Sequence, residues 1–202
     1  MNKCILLLAS AVLVSACATT APPTQLYLLG DAASVAAPNV ASAAPDGVPN
    51  VVLAQVDTAG FLDVAGIVYQ TAPNEINVAA RNLWAEPLPD QLRRTFYDAL
   101  ATQVKTVAVY PGLRSAPVRS VRLRVNFSGF HGRYDGKAVV AGVWSLADTQ
   151  NAPLLRQPFK YEIALQSDGY SELVAALESG LQASARDIAA SLDRYAGANA
   201  QE

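Results

Sequence analysis

The sequence predicts an α/β fold in which a mixed β-sheet, containing an antiparallel meander, is flanked by two main helices. Apolar residues recur at helical spacing in two long segments and alternate with polar residues at strand spacing between them. The composition, 51% hydrophobic and 16% charged, is sufficient for a substantial core. No stretch after residue 16 reaches the roughly 20 apolar residues of a membrane-spanning helix. We therefore predict one domain over residues 25–196.

The N-terminal segment is typical of a bacterial export signal. Lys3 precedes an apolar run from Ile5 to Val14, and small residues ending at Ala16 precede Cys17. This is the order of a cleaved signal peptide, and a cysteine directly after the small residues resembles a lipobox. We predict that residues 1–16 form the signal, that cleavage falls between Ala16 and Cys17, and that Cys17 is lipidated. An ordinary secretory signal with an incidental cysteine is the alternative.

Lipidation would decide where the protein resides. Several acyl chains such as palmitate, with each buried CH₂ contributing about 0.8 kcal/mol, make attachment effectively permanent. Ala18 follows Cys17, and the absence of Asp at this position favours the periplasmic face of the outer membrane. Residues 17–24 form a tether that spans roughly 25 Å when fully extended.

The first half of the domain is predicted to consist of strands followed by a helix. The strand predictions are Gln25–Leu29, Val51–Val56, and a hairpin of Gly66–Gln70 with Glu75–Ala79. Residues 32–49, rich in Ala and Pro, predict a mobile loop. Prolines at 87 and 89 suit a helix start. The helix should extend to about Val104, with a buried stripe of Leu88, Leu92, Phe96 and Leu100.

The second half is predicted to form a three-stranded meander and the longest helix. The strand predictions are Val121–Phe127, Lys137–Leu146 and Leu155–Gln166, each alternating between apolar and polar residues. Asp135 and Gly136 predict a two-residue turn with positive φ at both positions. A helix follows over residues 170–195, and residues 197–202 should fray.

The composition and the motifs give no sign of nucleic-acid binding, of a disulfide, or of a phosphate or zinc site. The net charge of −2 gives no basic excess for nucleic acid. Cys4 leaves with the signal, so no disulfide can form within the mature chain. There is no phosphate-binding loop, and one histidine without available cysteines does not suggest a zinc site. We expect no enzyme activity, cofactor or metal. The histidine, His131, is either a pH-sensitive contact or an ordinary residue at a strand end.

Three surface features have two interpretations each. Trp84 is either an interface anchor, since Trp is enriched at binding hot spots, or a core residue beside a helix start. Tyr134 and Asp135 form either a docking tip or a plain turn. Arg122 and Arg124 either contact an anionic lipid or partner, or form a solvated strand face.

Four segments together resemble one family. They are residues 66–71 (GIVYQT), 82–88 (NLWAEPL), 132–137 (GRYDGK) and 167–170 (SDGY). Their order and spacing, with the lipobox, resemble the ABC-type transport auxiliary lipoproteins, especially the PqiC (formerly YmbA) branch. The resemblance covers essentially the whole mature chain.

The resemblance implies a fold and a role beyond what the pattern predicts. The family fold is a mixed sheet with helices on its faces, similar to the N-terminal domain of TolB. The implied role is that of a docking subunit, at the outer membrane, of an intermembrane lipid transport system that supports envelope integrity. Its partner would be an MCE-domain protein anchored in the inner membrane. Because a lipid conduit must be enclosed, a homo-oligomeric ring is a further hypothesis. The alternative is a lipoprotein that itself binds or shuttles lipid.

Overall fold

The computed structural model describes residues 22–30 and 50–199. The predicted signal, cleavage site, Cys17 and loop 32–49 lie outside these residues. The described residues form eight strands, a short 3-10 turn and two long helices. The elements are β1 (Gln25–Tyr27), β2 (Val51–Thr58), the 3-10 turn (Gly60–Leu62), β3 (Gly66–Ala72), β4 (Glu75–Trp84), α1 (Leu88–Gln103), β5 (Val109–Tyr110), β6 (Val121–Arg133), β7 (Lys137–Ala147), β8 (Pro153–Ala164) and α2 (Tyr170–Asn199).

Strand β6 is the centre of a single mixed sheet. Along one edge it pairs antiparallel with β7, which pairs antiparallel with β8, so the predicted meander is present. Along the other edge the first half of β6 pairs parallel with β2. Farther along, β6 meets β3 through one parallel bridge between Tyr69 and Gly132. Strand β5 pairs with β2, β4 with β3, and β1 with β4.

Both helices pack against the same face of this sheet. The ring of Phe96 in α1 lies 6.1 Å from that of Phe127 in β6. Gly180 in α2 lies directly against Val140 of β7. Val140 lies directly opposite Phe130 in the register of β6 and β7, so their side chains are on the same face of the sheet. The Phe130 ring contacts that of Phe127, against which α1 packs. The two helices therefore share one face. The other face, which we call the open face, carries the polar residues of β6, as their alternation predicts.

The apolar stripes of the helices form the core with the strands beneath them. All four predicted stripe residues of α1 are at most 2% exposed. A buried polar residue, Gln91, connects the incoming chain to α1. Its side chain accepts a hydrogen bond from the Leu29 N–H at 2.9 Å and donates one to the Glu86 carbonyl at 2.9 Å. These bonds satisfy backbone groups that burial would otherwise leave unpaired.

Several predicted boundaries were wrong. β1 ends at Tyr27 because Leu29 turns into the core and its N–H binds Gln91. β4 continues past Ala79 to Trp84 because residues 82–84 pair with β1. Residues 197–199 continue α2 where fraying was expected. The 3-10 turn and β5 were not predicted, since two or three residues carry no detectable period.

The turn between β6 and β7 also differs from its prediction. Arg133 pairs with Lys137, which leaves a loop of three residues, 134–136. Gly136 has a φ of 75°, whereas Asp135 is not among the described residues with positive φ. The predicted turn with positive φ at both positions is therefore wrong. Three-residue hairpin loops commonly place a left-handed residue last, and here that residue is Gly136.

Candidate functional site

Several elements meet at the end of the sheet where residues 22–24 lead into β1. The β6–β7 turn, the tip of the β3–β4 hairpin and the start of α2 all lie at this end, which we call the tether end. The ring of Tyr170, at the start of α2, lies 6.4 Å from Tyr27 and 6.3 Å from Tyr69. These three tyrosines connect β1, β3 and α2.

A cleft of about 420 Å³ lies at the tether end between β3, the β6–β7 turn and α2. Small-ligand sites typically measure about 300–1,000 Å³. We call it the tether-end cleft. Its lining is mainly apolar and aromatic and includes Tyr69, Tyr134, Leu165, Tyr170 and Leu173, with the cations Arg133 and Lys137. The arrangement can accept an apolar group while a nearby cation meets a polar or anionic one.

Three of the four segments that carry the family resemblance meet in this cleft. Residues 66–71, 132–137 and 167–170 each contribute to its lining. They are distant in sequence, and the parallel bridge between β3 and β6 brings the first two together. Sequence reasoning did not single out Tyr69 or Tyr170. The one available signal was that each lies inside such a segment.

Charged side chains around the β6–β7 turn form an ion-pair network. The Arg133 guanidinium donates to Asp135 at 2.7 Å and to Glu162 at 2.8 Å. Lys160 lies 2.7 Å from Glu162, and Lys137 lies 3.5 Å from Asp135. Hydrogen bonds from Arg133 lower the pKa of both carboxyl groups, and Lys160 lowers that of Glu162 further. The Asp135 carboxylate is thus already engaged within its own hairpin.

Tyr134 stands out from this network. It lies at the hairpin tip, is 57% exposed, and has no hydrogen bond or ring contact among the described residues. Because it also lines the tether-end cleft, it offers a free aromatic side chain beside an apolar depression. Of the two predicted tip residues, Tyr134 is the one available to a partner.

Trp84 occupies the core. It is 5% exposed, and its ring lies 6.2 Å from that of Phe130. The core alternative, and not the interface anchor, describes this position. Its segment, 82–88, serves the fold: residues 82–84 pair with β1, and Leu88 begins α1.

His131 lies on β6 beneath the 3-10 turn. Its ring meets that of Phe61 edge-on at 6.0 Å. Its Nδ1 atom is buried and has no hydrogen-bond partner among the described residues. Burial, and then the charge of Arg133, lowers its pKa, so the neutral form is favoured. Within residues 22–30 and 50–199, His131 has no ion-pair or side-chain hydrogen-bond partner.

The described residues contain neither a metal-binding cluster nor a membrane-spanning helix. Within residues 22–30 and 50–199, no group of three or more His, Cys, Asp and Glu side chains is placed to hold a metal ion. Over the same ranges, no helix combines the length and hydropathy needed to cross a membrane.

Comparison with known sequences identifies close relatives. The family of ABC-type transport auxiliary lipoprotein components matches residues 27–189. "Intermembrane transport lipoprotein PqiC" of Escherichia coli (strain K12) is 38% identical over 144 residues, which cover 69% of this chain and 73% of PqiC. The protein of the same name from Shigella flexneri matches equally.

Solved structures agree with the fold. The crystal structure of an uncharacterized protein superposes with a TM-score of 0.69 at 31% identity, over 85% of this chain and 99% of that one. A Xanthomonas campestris protein gives a TM-score of 0.58 at 20% identity, over 81% and 92% of the two chains, and shows the shared fold alone. This chain therefore belongs to the family of ABC-type transport auxiliary lipoprotein components and is similar to PqiC, in a family of transport components rather than of enzymes.

Proposed function

We propose that this protein is the outer-membrane lipoprotein subunit of an MCE-type intermembrane lipid transport system, in which it acts as a docking component that supports envelope integrity. Family membership and the similarity to PqiC support a role in intermembrane transport. The observation that carries the docking role is the meeting of three family segments in the tether-end cleft. Residues that served folding alone would not need to gather at one surface depression.

The proposed anchor places this cleft near the membrane. Residues 22–24 enter β1 at the tether end, and the preceding tether from Cys17 spans roughly 25 Å at most. Mass spectrometry of the N-terminal peptide should find acyl groups on Cys17, and Cys17→Ser should abolish them. Ala18→Asp should shift the protein from outer- to inner-membrane fractions. An unmodified N-terminal cysteine would contradict the anchor.

The proposed partner is an MCE-domain protein anchored in the inner membrane. Affinity purification of the full chain from detergent-solubilised envelopes should recover it. Tyr134→Ala should reduce that recovery about tenfold, because it removes the exposed aromatic side chain beside the cleft. Leu113→Ala is the matched control: Leu113 is 56% exposed but lies in the loop that precedes β6, at the other end of the sheet. Failure of the wild-type chain to recover any MCE protein would refute the partnership.

Deletion of the gene tests the physiological role separately. We expect increased sensitivity to detergents and large antibiotics, because a lipid-transport defect weakens the outer-membrane barrier. The wild-type gene should restore resistance, and the Cys17→Ser variant should not. An unchanged barrier in the deletion strain would contradict the role in envelope integrity.

Self-association into a ring is part of the proposal. A lipid path across an aqueous compartment must be enclosed, and one domain of this size cannot enclose it alone. Light scattering of the mature lipoprotein in detergent, corrected for the bound micelle, should give a fixed multiple of the mass of residues 17–202, which is less than the 21.3 kDa of the full sequence. A monomer at every concentration would contradict the ring.

The tether-end cleft also supports one alternative function, direct lipid binding or shuttling. Its volume of about 420 Å³ and its aromatic lining would admit part of an acyl chain. Native mass spectrometry after mild extraction should then show a bound lipid that Leu173→Glu displaces. A lipid-free protein that still recovers its MCE partner would favour docking over this alternative.

A further inference from the structure

Three arginines gather on the open face, at the end of the sheet opposite the tether end. Arg122 and Arg124 lie two residues apart near the start of β6 and therefore point to the same side of the sheet. In register, Arg124 pairs with Ser145 of β7, and Ser145 pairs with Arg156 of β8. With neighbouring strands about 4.8 Å apart, the backbones at Arg124 and Arg156 lie about 10 Å from each other. We call the three residues the arginine cluster.

Two of these guanidinium groups share one neutral acceptor. Arg122 donates to Asn151 Oδ1 at 2.8 Å, and Arg124 donates to the same atom at 2.7 Å. Asn151 lies in the β7–β8 turn with a φ of 67°, and it is the only non-glycine residue with positive φ among those described. Asn is one of the few non-glycine residues that adopt this left-handed conformation readily. The Asn151 side chain thus holds two positively charged groups side by side through one neutral oxygen.

The positive charge of the arginine cluster is not neutralised nearby. None of the three arginines takes part in an ion pair within residues 22–30 and 50–199. Arg124 and Arg156 line one cleft of about 440 Å³, where the single acidic lining residue, Asp57, accepts a hydrogen bond from Gln55. In the adjacent turn, the Asp148 carboxylate accepts the backbone N–H groups of residues 150 and 152. Two arginines thus share this cleft with one carboxylate, and Arg122 adds a third positive charge beside it through Asn151.

We propose that the arginine cluster is a docking site for an acidic segment of a partner protein. Guanidinium groups bind carboxylates through paired hydrogen bonds, and each arginine has donors beyond those used on Asn151. The choice of a protein over a lipid rests on the proposed anchor. β6 spans 13 residues, about 40 Å at about 3.3 Å per residue, and the arginine cluster lies near the end of β6 that is far from the tether. A tether of roughly 25 Å keeps the tether end close to the anchoring membrane. When the tether end faces that membrane, most of the length of β6 therefore separates the arginine cluster from the lipid.

A charge-matched binding assay tests the proposal. The probe is a fluorescein-labelled hexaglutamate peptide, titrated at low salt with the full chain in a neutral detergent. Changing Arg122, Arg124 and Arg156 together to Gln should weaken binding at least tenfold. The control changes Arg81, Lys105 and Arg186 to Gln, which removes the same charge from exposed positions elsewhere. The control should bind within twofold of the wild type.

A second variant keeps all three arginines. Asn151→Asp supplies an internal carboxylate at the shared acceptor, so hexaglutamate binding should fall about tenfold while the melting temperature does not decrease. Retained binding in this variant would overturn the proposal, as would equal losses in the two triple variants or no binding by the wild type. If soluble dihexanoyl-phosphatidylglycerol or inorganic phosphate binds at the cluster and hexaglutamate does not, the ligand is a phosphate group and the acidic-segment proposal is wrong. None of these assays involves an MCE protein, so they can fail without affecting the docking proposal.

Discussion

Gly180 sits in α2 where the helix crosses Val140 of β7. A Cβ atom at this glycine would lie 2.7 Å from a Val140 methyl carbon and 3.1 Å from the Val140 Cβ. Val140 is fully buried, so in a close-packed interior its displacement would also have to displace its neighbours. The missing side chain is therefore what lets α2 approach the sheet closely.

Gly180→Ala should destabilise the fold in spite of the higher helix propensity of Ala. Overpacking a buried site costs about 1–3 kcal/mol, and the propensity gain of up to about 1 kcal/mol offsets part of it. Urea unfolding of both variants measures the difference. Gly197→Ala, in the same helix with no atom within 4 Å of the added Cβ, should show no loss of stability. A Gly180→Ala protein as stable as the wild type would show that α2 shifts freely.

His131 should make stability depend on pH. Burial lowers its pKa below the ordinary value of 6.5, so the unfolded chain binds this proton more readily than the folded one. Stability is therefore full above about pH 6.5 and declines as the pH falls toward the folded-state pKa, because protonation favours unfolding. His131→Leu should remove this decline.

The measurement is the free energy of unfolding of the wild type minus that of His131→Leu, from pH 8 to pH 4.5. The subtraction removes the shared titration of Asp and Glu. We expect the difference to fall as the pH drops below about 6.5. A difference that is constant with pH would mean that the ring titrates alike in both states and that His131 is an ordinary residue at a strand end.

At the scale of elements, segments with a clear period were predictable and those fixed by distant contacts were not. The α1 stripe and the alternation in β6 follow directly from residue order. The extension of β4 to Trp84 depends on β1, which lies more than fifty residues earlier. The tether-end cleft likewise needs the bridge between Tyr69 and Gly132. Residue types alone do not reveal which strands become neighbours.

The β6–β7 hairpin offers a test at the same scale. Gly136 has a φ of 75°, a conformation that costs an L-residue roughly 1–2 kcal/mol. Gly136→Ala should therefore lower the free energy of unfolding by about 1 kcal/mol, although Ala also reduces the entropy of the unfolded chain. Gly112→Ala has open space and no positive φ, so it should leave stability unchanged or slightly higher. An equal loss of stability in both variants would show that the positive φ at Gly136 is not the cause.

At the scale of the whole molecule, the two proposed sites lie at opposite ends of β6. The tether-end cleft adjoins the entry of residues 22–24, and the arginine cluster lies near the start of β6, about 30 Å away along the strand. An anchored molecule standing on its tether end would present the cleft close to the membrane and the arginines toward the periplasm. In this orientation, an MCE partner would have to reach the anchoring membrane to meet the cleft, whereas an acidic segment could bind the arginine cluster from the periplasm.

Probe accessibility tests this orientation. Single cysteines at Tyr134 (Tyr134→Cys, tether end) and Gln150 (Gln150→Cys, β7–β8 turn) can be labelled selectively, because the mature chain would otherwise hold only the lipidated Cys17. In phosphatidylcholine vesicles with a quencher on the headgroups, the probe at 134 should be quenched strongly and that at 150 little. The unmodified chain, which should take no label, is the control. Equal quenching would mean that the molecule lies flat on the bilayer, which contradicts the proposed orientation. Stronger quenching at 150 would place the arginines against lipid, which contradicts both the orientation and the acidic-segment proposal.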